Sequence, residues 1–321
     1  MRDLELGRHK EKMTIRSLVT AGLLEGEAKT TSEQVTVAFA LDSAYLPLFK
    51  VALASLANSG NFLDAPLAIY TNDAVVLSDP IVRRCADKMV LLDGKKKSVL
   101  ESLAQENVRR AARGDWNRGT FLKWQVFEKQ ETDKLVFLDV DMIFLRAFEE
   151  ELLNASDRPM SCCPQVIKKQ FLDEETDQID HKKAQEILTS AVEGHYWDRL
   201  LTNVNSGVMV VSGDLLSDEF FDDLTATAAS RVELNEQLHI TRYFQSNPDQ
   251  LRMLPYGFNF QAEYLSVFDE KKERDVLADV GVLHFAGQNK PWKRKPKLNS
   301  SFGFALWHWH RSLAEKLLSE V

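Results

Sequence analysis

The sequence is short of material for crosslinks. Its 321 residues include three cysteines, two of them adjacent at Cys162 and Cys163. Neither a disulfide framework nor a Cys-x-x-Cys pair can be drawn from them, so a reducing, cytoplasmic setting is the simplest expectation. A run of about eighteen apolar residues is missing, so no membrane-spanning helix is expected. No secretory leader is expected either, because Met1 to Lys12 is dense in charge with no apolar stretch behind it. Positive charge is not in excess. The net charge of −8 argues against a general nucleic-acid binder. What is present, 44% hydrophobic and 27% charged residues, suits a globular chain long enough for one large α/β domain with appendages.

The most informative stretch is Lys134 to Leu145, where Asp139 and Asp141 lie between Leu135–Leu138 and Met142–Leu145. The first apolar run predicts a fully buried strand. Side chains alternate along a strand, so both carboxylates should leave its end on one face. Two such charges repel each other, and burying them unpaired is costly. A divalent cation removes that cost, and carboxylate oxygens suit Mg²⁺ and Mn²⁺. The plain alternative is a turn carrying two solvated acids.

Around this stretch the pattern alternates. Val35–Leu41 predicts a first strand, with Ser43 placed to cap the helix that follows. Leu46, Phe49, Leu53 and Leu56 form the buried stripe of that helix. Strands are expected at Leu67–Thr71, Met89–Leu92, Met160–Cys163, Gly207–Val211 and Val280–Leu283, with helical segments between them. Two of those segments are about Val99–Arg113 and Asn117–Gln130. The alternation predicts an α/β fold with a mostly parallel, mixed central sheet flanked by helices. In such sheets ligands bind beyond the carboxyl ends of the strands, where Asp42 also falls. Residues 1–34 read as a peripheral tail, 35–292 as the domain, and 293–321 as a basic and aromatic C-terminal segment.

Other residues carry chemistry in order along the chain. Tyr45 offers a flat ring for a base. Lys123 precedes Trp124 on a helix, where a lysine is more often solvated. Asn205-Ser206-Gly207 leads into a strand; the amide can hold a hydroxyl, and glycine permits close backbone approach. Asp249-Gln250 follows Pro248 at a helix start, where an acid also serves the helix dipole. Leu254–Phe260 is an aromatic loop best read as core. His284-Phe285-Ala286-Gly287-Gln288-Asn289-Lys290-Pro291-Trp292 combines an imidazole, a close-approach glycine at Gly287 and a point charge for phosphate at Lys290.

Taken in this order, the motifs resemble those of family 8 retaining glycosyltransferases, the glycogenin-like group with the GT-A fold, over about Val35 to Trp292. The resemblance implies that Asp42 and Tyr45 receive a nucleobase, uracil in this group. It implies that Asp139-Val140-Asp141 is the Asp-x-Asp motif, with His284 completing a site for Mn²⁺ (or Mg²⁺). Lys123, Gly287 and Lys290 would then meet the diphosphate, and Asn205, Asp249 and Gln250 the donor sugar. The implied reaction moves a hexose from a UDP-sugar to a hydroxyl acceptor, such as a saccharide, with retention at the anomeric carbon. A double displacement would need a nucleophile, for which Asp249 and Gln250 are the local candidates; a same-face route needs none. Residues 165–199, in the region that helps choose the acceptor, have no familiar pattern, and residues 1–34 have no counterpart in the family.

Two other readings were weighed against this one. A phosphotransferase of the haloacid dehalogenase type also uses Asp-x-Asp, but on an early strand. A sugar- or nucleotide-binding protein could keep the fold without turnover. Beyond the domain, Lys293, Arg294, Lys295 and Lys297 precede Phe302, Phe304, Trp307, Trp309 and Leu313. Peripheral contact with an anionic membrane through 293–313 is one expectation for them, and packing of the aromatics on the domain is the other.

Overall fold

The structure, a computed structural model, describes residues 14–18, 33–92, 94–108, 119–173, 176–195, 203–231, 233, 235–293 and 302–319. From the amino end, β1 (Val35–Ala40), α1 (Leu46–Asn58), β2 (Leu67–Thr71), α2 (Ala74–Ser78), α3 (Pro80–Cys85), β3 (Lys88–Leu91) and α4 (Gly94–Val108) alternate as expected. Next come β4 (Lys134–Leu138), β5 (Met142–Phe144), α5 (Glu149–Ala155), β6 (Met160–Pro164), α6 (His181–Val192) and β7 (Val204–Ser212). The carboxyl part holds α7 (Asp218–Ala229), α8 (Glu236–Gln245), β8 (Leu251–Met253), β9 (Phe260–Gln261), α9 (Glu270–Asp279), β10 (Val282–His284) and α10 (Phe302–Ser319).

Seven strands form the central sheet in the order β3-β2-β1-β4-β7-β6-β8. All neighbours pair in parallel except β7, which runs against both β4 and β6. A second sheet joins β5, β10 and β9. The central sheet divides the core by side-chain parity. Val136 and Leu138 face the layer that holds α1, whereas Leu135 and Phe137 face the layer holding Phe121 and Trp124. Asp139 continues the second set, which turns it toward the Phe121–Phe127 segment.

Several elements differ from the sequence expectation. The helix expected over 117–130 is a 3-10 segment, Phe121–Phe127, in which every residue is buried. The expected continuation of α4 to residue 113 lies outside the described residues. Ser43 does not cap α1, which starts after Tyr45 with no side-chain cap; the Asp42 carboxylate instead holds the turn before it, accepting from the backbone of Ala44 and Tyr45 at 2.9 and 3.2 Å. The amino-terminal tail is not wholly peripheral. Ile15 and Leu18 lie on one side of a short 3-10 turn, where residues three apart eclipse, and both are buried in the core. Arg16 fixes the turn to Asp64 at 2.6 Å.

The C-terminal segment also joins the body. α10 packs on α1, and Trp307 is buried against Trp292 with ring centroids 5.6 Å apart. Only part of the expected lipid-facing set stays outward: Trp309 is 54% exposed, and Phe302 is 36% exposed beneath Arg274. Arg294, Lys295 and Lys297 lie outside the described residues. No helix among the described residues is long and apolar enough to cross a membrane.

His310 on α10 makes the fold sensitive to acid. It is buried, its Nδ1 has no partner among the described residues, and burial pushes its pKa down to about 4. Below an ordinary histidine pKa near 6.5 the unfolded chain takes up a proton that the folded chain refuses. The contribution is therefore complete above that pH and is lost as the pH falls toward 4. Urea unfolding should show His310→Leu gaining about 2–3 kcal/mol on its parent between pH 7.5 and 4.5. An identical pH dependence in both proteins would contradict this.

Candidate active site

The site forms where the central sheet meets the small one. Beyond β4, the Asp139 amide donates to the Gly207 carbonyl at 2.8 Å, so the first acid is held beside β7. The chain then turns into β5. His284 ends β10 and lies opposite Met142 in the antiparallel ladder. The Phe285 amide donates to the Asp141 carbonyl at 2.9 Å. This ladder brings the imidazole to an acid far earlier in the chain. His284 Nε2 is 3.1 Å from Asp141 Oδ1 and 4.0 Å from Asp139 Oδ2. One ligand atom from each of the three residues lies within 4.8 Å of the others. Two carboxylate oxygens and an imidazole nitrogen form a donor set suited to a divalent cation.

Basic residues flank the acids. Lys290 Nζ is 2.7 Å from Asp141 Oδ2, also contacts the Phe285 carbonyl, and lies over the Trp292 ring. Burial alone would raise the Asp141 pKa, but His284 and Lys290 outweigh it and hold the carboxyl well below the usual carboxylate range. On the other side Lys123 is buried above the Phe137 ring. Its Nζ reaches Asp139 at 2.9 Å, Ser206 Oγ at 3.3 Å and Glu236 at 3.4 Å. Burial alone would lower its pKa, yet Asp139 and Glu236 hold it above its ordinary value. An ammonium has three donors, and these three partners occupy them. Lys123 thus braces two acids in this structure.

Glu236 and Gln237 are the residues that the sequence reading missed. Asn235 caps α8 by accepting from the Leu238 amide at 3.1 Å, and α8 packs on β7. Glu236 is buried; its Oε1 accepts from Ser206 Oγ at 3.0 Å, while its Oε2 is buried with no partner among the described residues. Gln237 accepts from the Ser206 amide at 3.2 Å and donates to Gln165 at 3.0 Å. A signal was available: an Asn-Glu-Gln helix start 31 positions after Asn205.

Asp249 and Gln250 do not reach this cluster. They form a 3-10 turn leading into β8, the edge strand. The register carries Leu251 through Met160 and Val211 to Leu135, near the amino end of β4. Asp139 leaves the opposite end, so strand rise and spacing separate the two by roughly 20–25 Å. Asp249 is exposed there, its carbonyl accepting from Arg158 at 3.0 Å. Asp249 and Gln250 thus stand away from the Asp139–Asp141–His284 cluster, whereas Glu236 and Gln237 stand beside it through Ser206.

The remaining candidates lie around the cluster. Asn205 is buried and engaged inward, with its amide bonded to Gly207, Asn259 and Gln165 at 2.9 Å each. In this structure it supports the site from behind. A Cβ at Gly207 would lie 2.7 Å from His284 Cε1, so β7 packs directly on the imidazole. Gly287 sits at the rim beside the exposed Glu263. Tyr45 is 38% exposed, and its hydroxyl pKa is raised by burial and then by Asp141, Asp42 and Asp139. With Lys290, Trp292 and Trp307 it lines a groove of about 570 Å³.

The profile of glycosyl transferase family 8 matches residues 36–295, most of the chain. The chain belongs to glycosyl transferase family 8. It is a glycosyltransferase with the GT-A fold. Solved structures agree in fold. The galactosyltransferase LgtC, in complex with donor and acceptor sugar analogs, aligns with a TM-score of 0.55 at 14% identity, over 88% of this chain and 95% of that one. Apo GlyE from Streptococcus pneumoniae TIGR4 gives a TM-score of 0.56 at 16% identity, over 90% of this chain and 64% of that one. The bifunctional glycosyltransferase WbbM gives 0.53 at 13% identity; this transferase spans about half of its length. No curated protein matches the sequence.

Proposed function

We propose that this family 8 transferase moves a hexose from a UDP-sugar to a hydroxyl of a saccharide acceptor, with retention and with dependence on a divalent cation. The observation that carries the reading is the convergence of Asp139, Asp141 and His284 into one ligand set. A mixed oxygen and nitrogen set favours Mn²⁺ over Mg²⁺. When bound, the ion supplies positive charge for the diphosphate leaving group.

The chain's own residues do the rest. Lys290 adds an ammonium on the Trp292 side of the site. Tyr45 offers its exposed ring to the base, and Asp42 retains one carboxylate oxygen beyond its turn contacts. Lys123 holds Asp139 and Glu236 at fixed separation. The unpartnered oxygen of Glu236 accepts a hydroxyl of the donor sugar, which relieves a buried, unsatisfied acceptor. A same-face route suits this site. It needs no protein nucleophile, and Asp249 and Gln250 lie at the far end of the sheet.

The test needs no knowledge of the acceptor. A panel of UDP-sugars with Mn²⁺ should show slow hydrolysis of one or two members, and absence of both hydrolysis and transfer across the panel would sink the reading. Glu236→Gln should then lower kcat/KM for that donor at least about tenfold, the worth of a charge-assisted hydrogen bond of about 1.5 kcal/mol. An unchanged kcat/KM would remove Glu236 from the sugar subsite.

A further inference from the structure

Asn259 lies in the aromatic loop between β8 and β9, fully buried, with both ends of its amide engaged. Its Oδ1 is 2.8 Å from His284 Nδ1, and its Nδ2 is 2.9 Å from Asn205 Oδ1. Which way the amide points is settled by chemistry. The Gly207 backbone amide donates to Asn205 Oδ1 at 2.9 Å. A backbone N–H can only donate, so that atom of Asn205 is an acceptor, the oxygen. Asn259 must then present its NH₂ to Asn205 and its oxygen to His284. Facing an oxygen, His284 Nδ1 must carry a proton. In the neutral ring the lone pair is left on Nε2, the nitrogen that faces Asp141 and Asp139.

We propose that Asn259 is a positioning residue that fixes His284 in the Nδ1–H tautomer, so that Nε2 is always the nitrogen offered to the cation. The instruction begins at the Gly207 amide and passes through Asn205 and Asn259. Asp141 alone would act in the opposite sense, since its carboxylate 3.1 Å away accepts a proton from Nε2. Gln165 steadies the relay from the far side, accepting from both Asn205 and Gln237. Partners that orient a ligating histidine commonly matter by about 10–100-fold in metal affinity. The inference rests on the metal reading above.

The experiment measures Mn²⁺ binding to the nucleotide-free full chain by calorimetry. Asn259→Leu should weaken binding about 10–100-fold, whereas Asn259→Asp, which still accepts the Nδ1 proton but no longer donates to Asn205, should weaken it less. Equal weakening in both variants would show that accepting the Nδ1 proton is not what the position supplies; no weakening in Asn259→Leu would show that it does not act at all. Either result overturns the proposal. If Asn259→Leu does not fold, the unmutated chain decides. Labelled with ¹⁵N at histidine and loaded with Cd²⁺ alone, it should show coupling of the ion to Nε2 and a proton on Nδ1. Coupling at Nδ1, or a proton on Nε2, overturns the proposal while leaving the metal site intact. Failure of the unmutated chain to bind Mn²⁺ or Cd²⁺ would instead overturn the metal reading and this proposal with it.

Discussion

Asp141→Asn should abolish Mn²⁺-dependent turnover of the donor while the protein remains folded. Asp141 is the residue on which the site's opposing charges meet: His284 on one carboxylate oxygen and Lys290 on the other. An amide of the same shape keeps the backbone contact to Phe285 but removes the negative charge that a cation requires. Leaving-group stabilisation by a bound ion is worth several kcal/mol. A loss of about 4 kcal/mol corresponds to roughly 10³ in rate. Steady-state hydrolysis across a Mn²⁺ titration checks the activity, and near-ultraviolet circular dichroism checks the fold. Undiminished turnover with an intact fold would refute Asp141 as a ligand.

Gly207→Ala should have the next largest effect, for a steric reason. The added methyl would meet His284 Cε1 at 2.7 Å, Met142 Cε at 2.8 Å and His284 Nδ1 at 2.9 Å. Met142 ends in a flexible thioether and can yield. The imidazole cannot yield easily, because Asn259 and Asp141 grip its two nitrogens. Overpacking of this kind costs about 1–3 kcal/mol of stability. Displacing the ring should also cut turnover and Mn²⁺ affinity by about 100-fold. Thermal melting and calorimetry report the two effects separately. A variant with parental Mn²⁺ affinity would mean that His284 tolerates displacement or is not a ligand.

Much of this architecture was legible in the residues, and the reasons differ from one element to the next. The apolar run at Leu135–Leu138 had to be a buried strand, and alternation placed the two acids at its end. The His284–Trp292 string announced a site because its residue types have no shared structural purpose. The distance of Asp249-Gln250 from the acid cluster, and the presence of Glu236-Gln237 beside it, mark what such reading leaves out. Both pairs join an acid to glutamine near a helical start, and a linear motif does not say which end of the sheet a turn occupies. That was set by β8 pairing with β6 at the edge. The inward partners of Asn205 are not legible in the sequence, because an amide's partners are tertiary. Ile15 and Leu18 were hidden for a similar reason: two apolar residues in a charged tail reveal a docking turn only once α1 is there to receive them.

The small sheet has a consequence for how the protein is made. Asp141 leaves the ribosome 143 positions ahead of His284. At translation speeds of about 5–20 residues per second, that interval is roughly 7–30 s. Asp139 has Lys123 from an earlier part of the chain, but Asp141 has neither His284 nor Lys290 until the last tenth or so of the polypeptide emerges. A nascent or prematurely terminated chain can therefore assemble the first strands of the main sheet and still be inert, because β10, which supplies the histidine, comes late.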